Sequence, residues 1–185
     1  MTDYNFSYIP YYCEENIWYL SQDPRFKRYE RKVVFISNEI HSCALWEQKA
    51  AHDPSEAVFW DYHVIFMCNN YSWQIWDLDT LIDMPVEIDN YVNRTFLRNN
   101  IIPNRFAPQF RIIEADEYIA RFSSDRFHMR KKDGSWLAPP PPWPCITRNG
   151  GISLFEYIDM KDNSIGNIMS LAEFLKNFAD VYPTP

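Results

Sequence analysis

Two runs of β-branched and aromatic residues, Val58–Cys68 and Ser72–Asp77, are separated only by Asn69, Asn70 and Tyr71. Runs of this composition form strands, and so short a polar link joins them as an antiparallel hairpin. Side chains in a strand alternate between faces, so the parity of the loop decides which residues meet. A two-residue loop at Asn69-Asn70 pairs His63 with Trp76 and turns Asp77 to the opposite face. A three-residue loop, Asn69-Asn70-Tyr71, pairs Cys68 with Ser72 and therefore His63 with Asp77. That loop needs one residue in the left-handed region, which Asn tolerates. A carboxylate at the end of the second strand can then orient a histidine on the first. Asp79 shares that face two residues further on and is the rival orienter. Both residues also have ordinary uses, His63 as a hydrogen-bonded core histidine and Asp77 as the cap of a turn.

The rest of the chain supplies a sheet and its helices. Lys32–Ser37 reads as a strand, and Ser42–Trp46 is expected to continue the same sheet after a turn at Asn38-Glu39. Phe110–Ile113 is a short strand. In Pro85–Leu97 the residues Ile88, Tyr91, Val92, Thr95 and Phe96 recur at helical spacing. Ala115–Phe122 is a further helix, and Ser170–Val181 is the last, with Ser170 as N-cap and Glu173 completing a capping box. Pro139–Pro144 is extended polyproline. No repeat or linker divides the 185 residues. The expected architecture is one domain, 1–185, of the α+β class, with a mostly antiparallel sheet packed with helices. Four glycines against thirteen prolines predict stiff loops.

Charge and cysteine usage narrow the function classes. A formal charge of −7 disfavours nucleic-acid binding. No stretch reaches the ~18 apolar residues of a membrane span, and the N-terminus lacks the basic and apolar regions of a signal peptide. The chain is therefore expected in the cytoplasm or nucleus, as a monomer, with no membrane and no nucleic-acid partner. There its four cysteines, 13, 43, 68 and 145, stay reduced. They form no CxxC pair, and the four histidines no HxxxH, so no metal site is expected.

Cys13 stands where a reactive cysteine is useful. Cys13-Glu14-Glu15-Asn16-Ile17-Trp18-Tyr19-Leu20 reads as a helix start, with two acids in its first turn and Ile17, Trp18 and Leu20 for a buried face. A helix N-terminus stabilises a thiolate, while Glu14 and Glu15 oppose it unless they face away. An intracellular cysteine is otherwise a small core residue.

Several segments together resemble one family. Cys13-Glu14-Glu15-Asn16, Val34-Phe35-Ile36-Ser37-Asn38-Glu39, Trp60-Asp61-Tyr62-His63-Val64 and Asp77-Leu78-Asp79-Thr80 are similar to the protein N-terminal glutamine amidohydrolases. So are Ser124-Asp125-Arg126 with His128-Met129, and Pro139 to Ile146, in the same order along nearly the whole chain. The resemblance implies a papain- and transglutaminase-like fold with Cys13 as nucleophile at a helix N-terminus, His63 as base and Asp77 as orienter. It implies deamidation of an N-terminal glutamine to glutamate through a thioester on Cys13, without a cofactor, as a step toward degradation of the substrate protein. Reading the substrate's free ammonium calls for a carboxylate, with Glu14, Glu15, Asp61 and Asp125 as candidates. Trp60, Tyr62 and Trp143 are candidates to wall the pocket. Two other readings remain: a transglutaminase-like acyltransferase or papain-like protease with the same triad, and a non-catalytic module that docks its proline run on SH3 or WW domains.

Overall fold

The computed structural model describes residues 6–53, 55–96 and 102–179. Its centre is a six-stranded antiparallel sheet in the order β10-β7-β1-β4-β5-β6. These strands are β1 (Glu30–Ser37), β4 (His63–Asn70), β5 (Ser72–Trp76), β6 (Val86–Glu87), β7 (Gln109–Glu114) and β10 (Asn167–Ser170). Val33–Ile36 of β1 and Val64–Cys68 of β4 are unbroken apolar runs because both faces of the sheet are covered there. In β1 and β4, Val33, Phe35, Val64, Phe66 and Cys68 face α1 (Cys13–Ser21), α3 (Ala115–Arg121) and α4 (Leu154–Ile158). Val34, Ile36, Ile65 and Met67 face α2 (Ile88–Phe96) and α5 (Leu171–Phe178). The molecule is thus α+β, with helices on both sides of an antiparallel sheet.

The helical spacing read in the sequence is the packing that forms. Ile88, Tyr91, Val92, Thr95 and Phe96 are the buried residues of α2. The helix starts at Ile88 rather than Pro85 because Val86 and Glu87 pair with β5 as an edge strand. Leu97 lies outside the described residues. Ser170 caps α5 and forms the capping box with Glu173, and the helix ends at Phe178. The residues from 180 to Val181 are likewise outside the described set. Sequence reading missed β8 (Phe122–Ser123) and β9 (Ile152–Ser153), whose pairing ends α3 at Arg121 rather than Phe122, and also α4 and β10, elements of two to five residues too short for a periodic signal. β10 reaches β7 because Gly166 carries no side chain: a Cβ there would lie 2.3 Å from the Ile112 carbonyl oxygen. Its φ of +59° also suits glycine.

Two expectations are corrected near the front of the sheet. Ser42–Trp46 does not extend the main sheet. β2 (Cys43–Leu45) pairs instead with β3 (Val58–Trp60) in a separate two-stranded sheet. The run Val58–Cys68 is accordingly not one strand: it breaks at Asp61-Tyr62, where the Ser37 hydroxyl donates to the Asp61 carbonyl at 2.7 Å. One half pairs with β2 and the other with β1, and a strand cannot lie in both sheets without bending. The break makes His63 the first residue of β4, opposite Ile36.

Of the two parities the sequence allowed, the β4–β5 hairpin has the odd one that a His63–Asp77 pairing requires, with a register two residues further along. Cys68 pairs with Gln74, and Asn70 with Ser72. The loop centres on Tyr71, which takes φ 72° and is fully exposed, not on an asparagine. Because the slip is even, the faces are preserved. β5 ends at Trp76, so Asp77 leaves the strand on the side of His63.

Candidate active site

The break before β4, the end of β5 and the start of α1 converge. His63 Nε2 and Asp77 Oδ1 are 2.8 Å apart, and both side chains are buried. Asp79, the rival orienter, makes no such bond. Asp77 is held from three further directions: its Oδ1 accepts the Asp79 N–H at 2.9 Å, and its Oδ2 accepts the Tyr91 hydroxyl at 2.8 Å and the Gln48 amide at 3.4 Å. Burial pushes the Asp77 carboxyl up, but the His63 charge and these hydrogen bonds bring it below its ordinary value. Burial likewise pulls His63 down, and the charge and hydrogen bond of Asp77, with the charge of Asp79, raise it above its ordinary value. Asp77 therefore stabilises the imidazolium whenever His63 takes up a proton. Trp60 stacks on the His63 ring at 6.0 Å and 19°, and its indole N–H is fixed on Gln48.

Cys13 is the first residue of α1 and shares one cavity with His63. The cavity has a volume of about 380 Å³ and is walled by Tyr11, Trp60, Asp61, Tyr62, Asp79, His128 and Leu137 among others. The Val64 backbone N–H donates to the Cys13 sulfur. Burial holds the Cys13 thiol well above its usual pKa, and the charges of Glu14, Asp79 and Asp61 add to this against the Val64 N–H. The lowered pKa expected from the helix end alone is therefore not what the free site has: desolvation dominates. With Nε2 of His63 committed to Asp77, Nδ1 is the ring nitrogen left for chemistry.

Donor atoms of His63, Asp77 and Asp79 also lie within 4.8 Å of one another. Their hydrogen bonds account for this grouping: Asp77 is engaged as above, and Asp79 Oδ1 accepts the Tyr8 hydroxyl at 2.7 Å. The chemistry this arrangement can do is nucleophilic attack by sulfur with proton transfer through an oriented imidazole.

Comparison with known proteins places the chain in a family. The family model for N-terminal glutamine amidase matches residues 8–178. The protein N-terminal glutamine amidohydrolases of Drosophila grimshawi and Drosophila virilis are each 41% identical over 180 residues, covering 93% of this chain and 88% of theirs. That of Drosophila melanogaster is 40% identical over the same span. The chain belongs to the N-terminal glutamine amidase family.

The amidase site distributes the remaining sequence candidates unequally. Asp61 and Trp60 line the cavity. Glu14 and Glu15 are fully buried, not solvent-facing. Glu14 lies behind Cys13: its Oε2 accepts the Tyr62 hydroxyl at 3.0 Å and lies 3.8 Å from the Cys13 sulfur. Its Oε1 is 3.5 Å from His128 Nε2 and makes no hydrogen bond. Glu15 points away from the cavity, into a bidentate pair with Arg126 at 2.7 and 2.8 Å and a 2.6 Å bond from the Trp143 indole. Trp143 is thus taken from the pocket wall by Glu15 and by packing on Tyr19. Asp125 caps the Phe127 N–H and lines a separate cleft of about 270 Å³.

Arg126 is the functional-site residue that sequence reasoning passed over. It also bonds the Trp143 carbonyl at 2.9 Å and reaches those of Pro141 and Pro144. Through it the proline segment is clamped to the helix that carries Cys13. Pro141 is buried in this clamp while Pro139, Pro140 and Pro142 are exposed. In the sequence Arg126 figures only within the Ser124-Asp125-Arg126 segment of the resemblance and carries no role there, its partner lying 111 residues away. Tyr91 and Tyr8, which fix the two aspartates, had no local signal.

Proposed function

We propose that the chain deamidates the side chain of an N-terminal glutamine in proteins or peptides, giving glutamate and ammonia. The observation that carries the proposal is an oriented His63–Asp77 pair sharing a buried cavity with Cys13, in a chain of this family. Cys13 is the nucleophile, His63 the base and Asp77 its orienter. The order Cys-His-Asp, with the cysteine opening a helix beside an antiparallel sheet, supports a papain- and transglutaminase-like fold. No helix among the described residues is long and apolar enough to cross a membrane.

In the free enzyme the sulfur is a thiol. Substrate entry displaces water from the cavity, and the thiol proton passes to His63 Nδ1 as sulfur attacks the carboxamide carbon. Nε2–H of the resulting imidazolium faces the Asp77 carboxylate, which stabilises the charge without taking the proton. The carbonyl oxygen becomes an oxyanion, held by backbone N–H groups at the start of α1, including that of Cys13, which have no carbonyl a turn earlier to bond. Such a donor is worth about 3–4 kcal/mol in acyl transfer. Collapse breaks the C–N bond, and His63 returns the proton to the leaving nitrogen, releasing ammonia. A thioester remains on Cys13. His63 then removes a proton from water as it attacks, the C–S bond breaks, and glutamate and the Cys13 thiol are regenerated. These steps require no cofactor. The product would expose an N-terminal glutamate to arginylation and degradation, in the cytoplasm or nucleus, and the enzyme would act as a monomer.

Four peptides test the reading: N-terminal Gln, acetylated Gln, internal Gln and N-terminal Asn. Ammonia released from the first, with the chain otherwise intact, is the expected result. Peptide cleavage, or equal reaction with internal Gln, would assign the triad to a protease or acyltransferase instead.

A further inference from the structure

An enzyme selective for a chain terminus must recognise the α-ammonium, and burying that charge unpaired is costly. Two carboxylates line the Cys13 cavity, Asp61 and Asp79. Asp61 is exposed, and its Oδ1 accepts the N–H of the next residue at 3.0 Å. Asp79 is 6% exposed. Its Oδ1 is pinned by the Tyr8 hydroxyl, while its Oδ2 has no partner among the described residues and is not sealed from the cavity. The lysine whose charge acts on Asp79 is engaged elsewhere: Lys49 donates to the Leu78 carbonyl at 2.7 Å and lies over the Tyr8 ring. Asp79 is therefore a desolvated carboxylate with no salt bridge to a lysine or arginine among the described residues, with one open oxygen, on the wall of the reaction cavity.

The spacing suits a glutamine. Its α-nitrogen stands roughly 5 Å from its carboxamide carbon, by standard bond lengths. Donor atoms of Asp79 and His63 lie within 4.8 Å of each other. A glutamine whose carboxamide sits at Cys13 and His63 can thus bring its ammonium to Asp79.

We propose that Asp79, held by Tyr8, is the specificity residue that binds the free α-ammonium of the substrate. The inference rests on the deamidase reading above and assigns a group within it. The backbone N–H of Asp79 also bonds Asp77, so the ammonium site and the base's orienter are built from one turn. An acetylated terminus has no charge to offer this carboxylate and would leave it buried and unpaired.

The test compares wild type, Asp79→Asn, Tyr8→Phe and Asp61→Asn on free and acetylated N-terminal Gln peptides, with thermal melts to check folding. In Asp79→Asn the KM for the free peptide should rise about tenfold or more, with a smaller change in kcat. The preference for the free over the acetylated peptide should collapse. Tyr8→Phe, which keeps the carboxylate but frees it, should shift KM in the same direction by less, and Asp61→Asn should keep the preference. If Asp79→Asn discriminates as wild type does, or only kcat falls, the assignment is overturned. If Asp61→Asn alone loses discrimination, the ammonium site is Asp61. Should Asp79→Asn fail to fold, a full wild-type preference and KM in Tyr8→Phe overturns the assignment. A wild type that releases no ammonia from any glutamine peptide refutes the deamidase reading itself, a distinct outcome.

Discussion

Replacing Arg126 by Met tests how the nucleophile's helix is held. The Glu15 side chain is wholly buried and Arg126 is 6% exposed. Glu15 accepts two bonds from the guanidinium and one from Trp143. Methionine keeps much of the volume and removes the charge, so Glu15 is left buried with the indole alone. Breaking one side of a buried pair costs about 3–5 kcal/mol. For a chain of this size each kcal/mol moves Tm by about 2–4 °C, so the melt should fall by roughly 6–20 °C. Urea denaturation checks the free energy directly. The decisive comparison is the double variant Arg126→Met/Glu15→Gln. Removing the stranded charge should recover much of the loss, because the cost lies in the uncompensated carboxylate and not in the pair. A loss under about 1 kcal/mol in the single variant, the worth of an exposed pair, would refute the reasoning. So would a double variant whose loss equals the sum of the singles.

Further outcomes follow from the site. Asp77→Asn should lower kcat/KM by about 10²–10⁴-fold through loss of the orienting carboxylate. With His63 as the proposed base, activity should be lost as pH falls through its raised pKa, and removing Asp77 should move that acid limb to lower pH, read from a pH–rate profile. Tyr91→Phe removes a buried hydrogen bond to a charged oxygen and should cost about 1.5–3 kcal/mol of stability in urea titrations. Ser170→Ala, at the cap of α5, should cost about 0.5–2 kcal/mol and leave ammonia release per folded molecule unchanged.

What could be read without the structure was what short-range rules govern. The α2 face and the α5 capping box depend on spacing within about a dozen residues, and both formed; the β4–β5 hairpin itself was legible, while its parity was left between two loops. Parity alone put His63 and Asp77 on one face even though the loop turns at Tyr71. Pairings set by the whole sheet were hidden. Nothing local shows that Val58–Cys68 must break to serve two sheets, and that break is what sets His63 at a strand end beside Cys13. Glu15 and Glu14 are adjacent acids in one helical turn, and only the distant Arg126, Tyr62 and His128 show that both are buried. Trp143 read as a pocket wall for the same reason, its partner lying 128 residues away. The identity of the pocket's acid also depended on long-range packing, since Tyr8 reaches Asp79 across 71 residues.

The most direct measurement is ammonia release from a peptide with N-terminal glutamine, by wild type and by Cys13→Ala. The account requires steady release by the wild type and none above background by the variant, with equal melting behaviour confirming its fold. Wild-type rates in Cys13→Ala would contradict it.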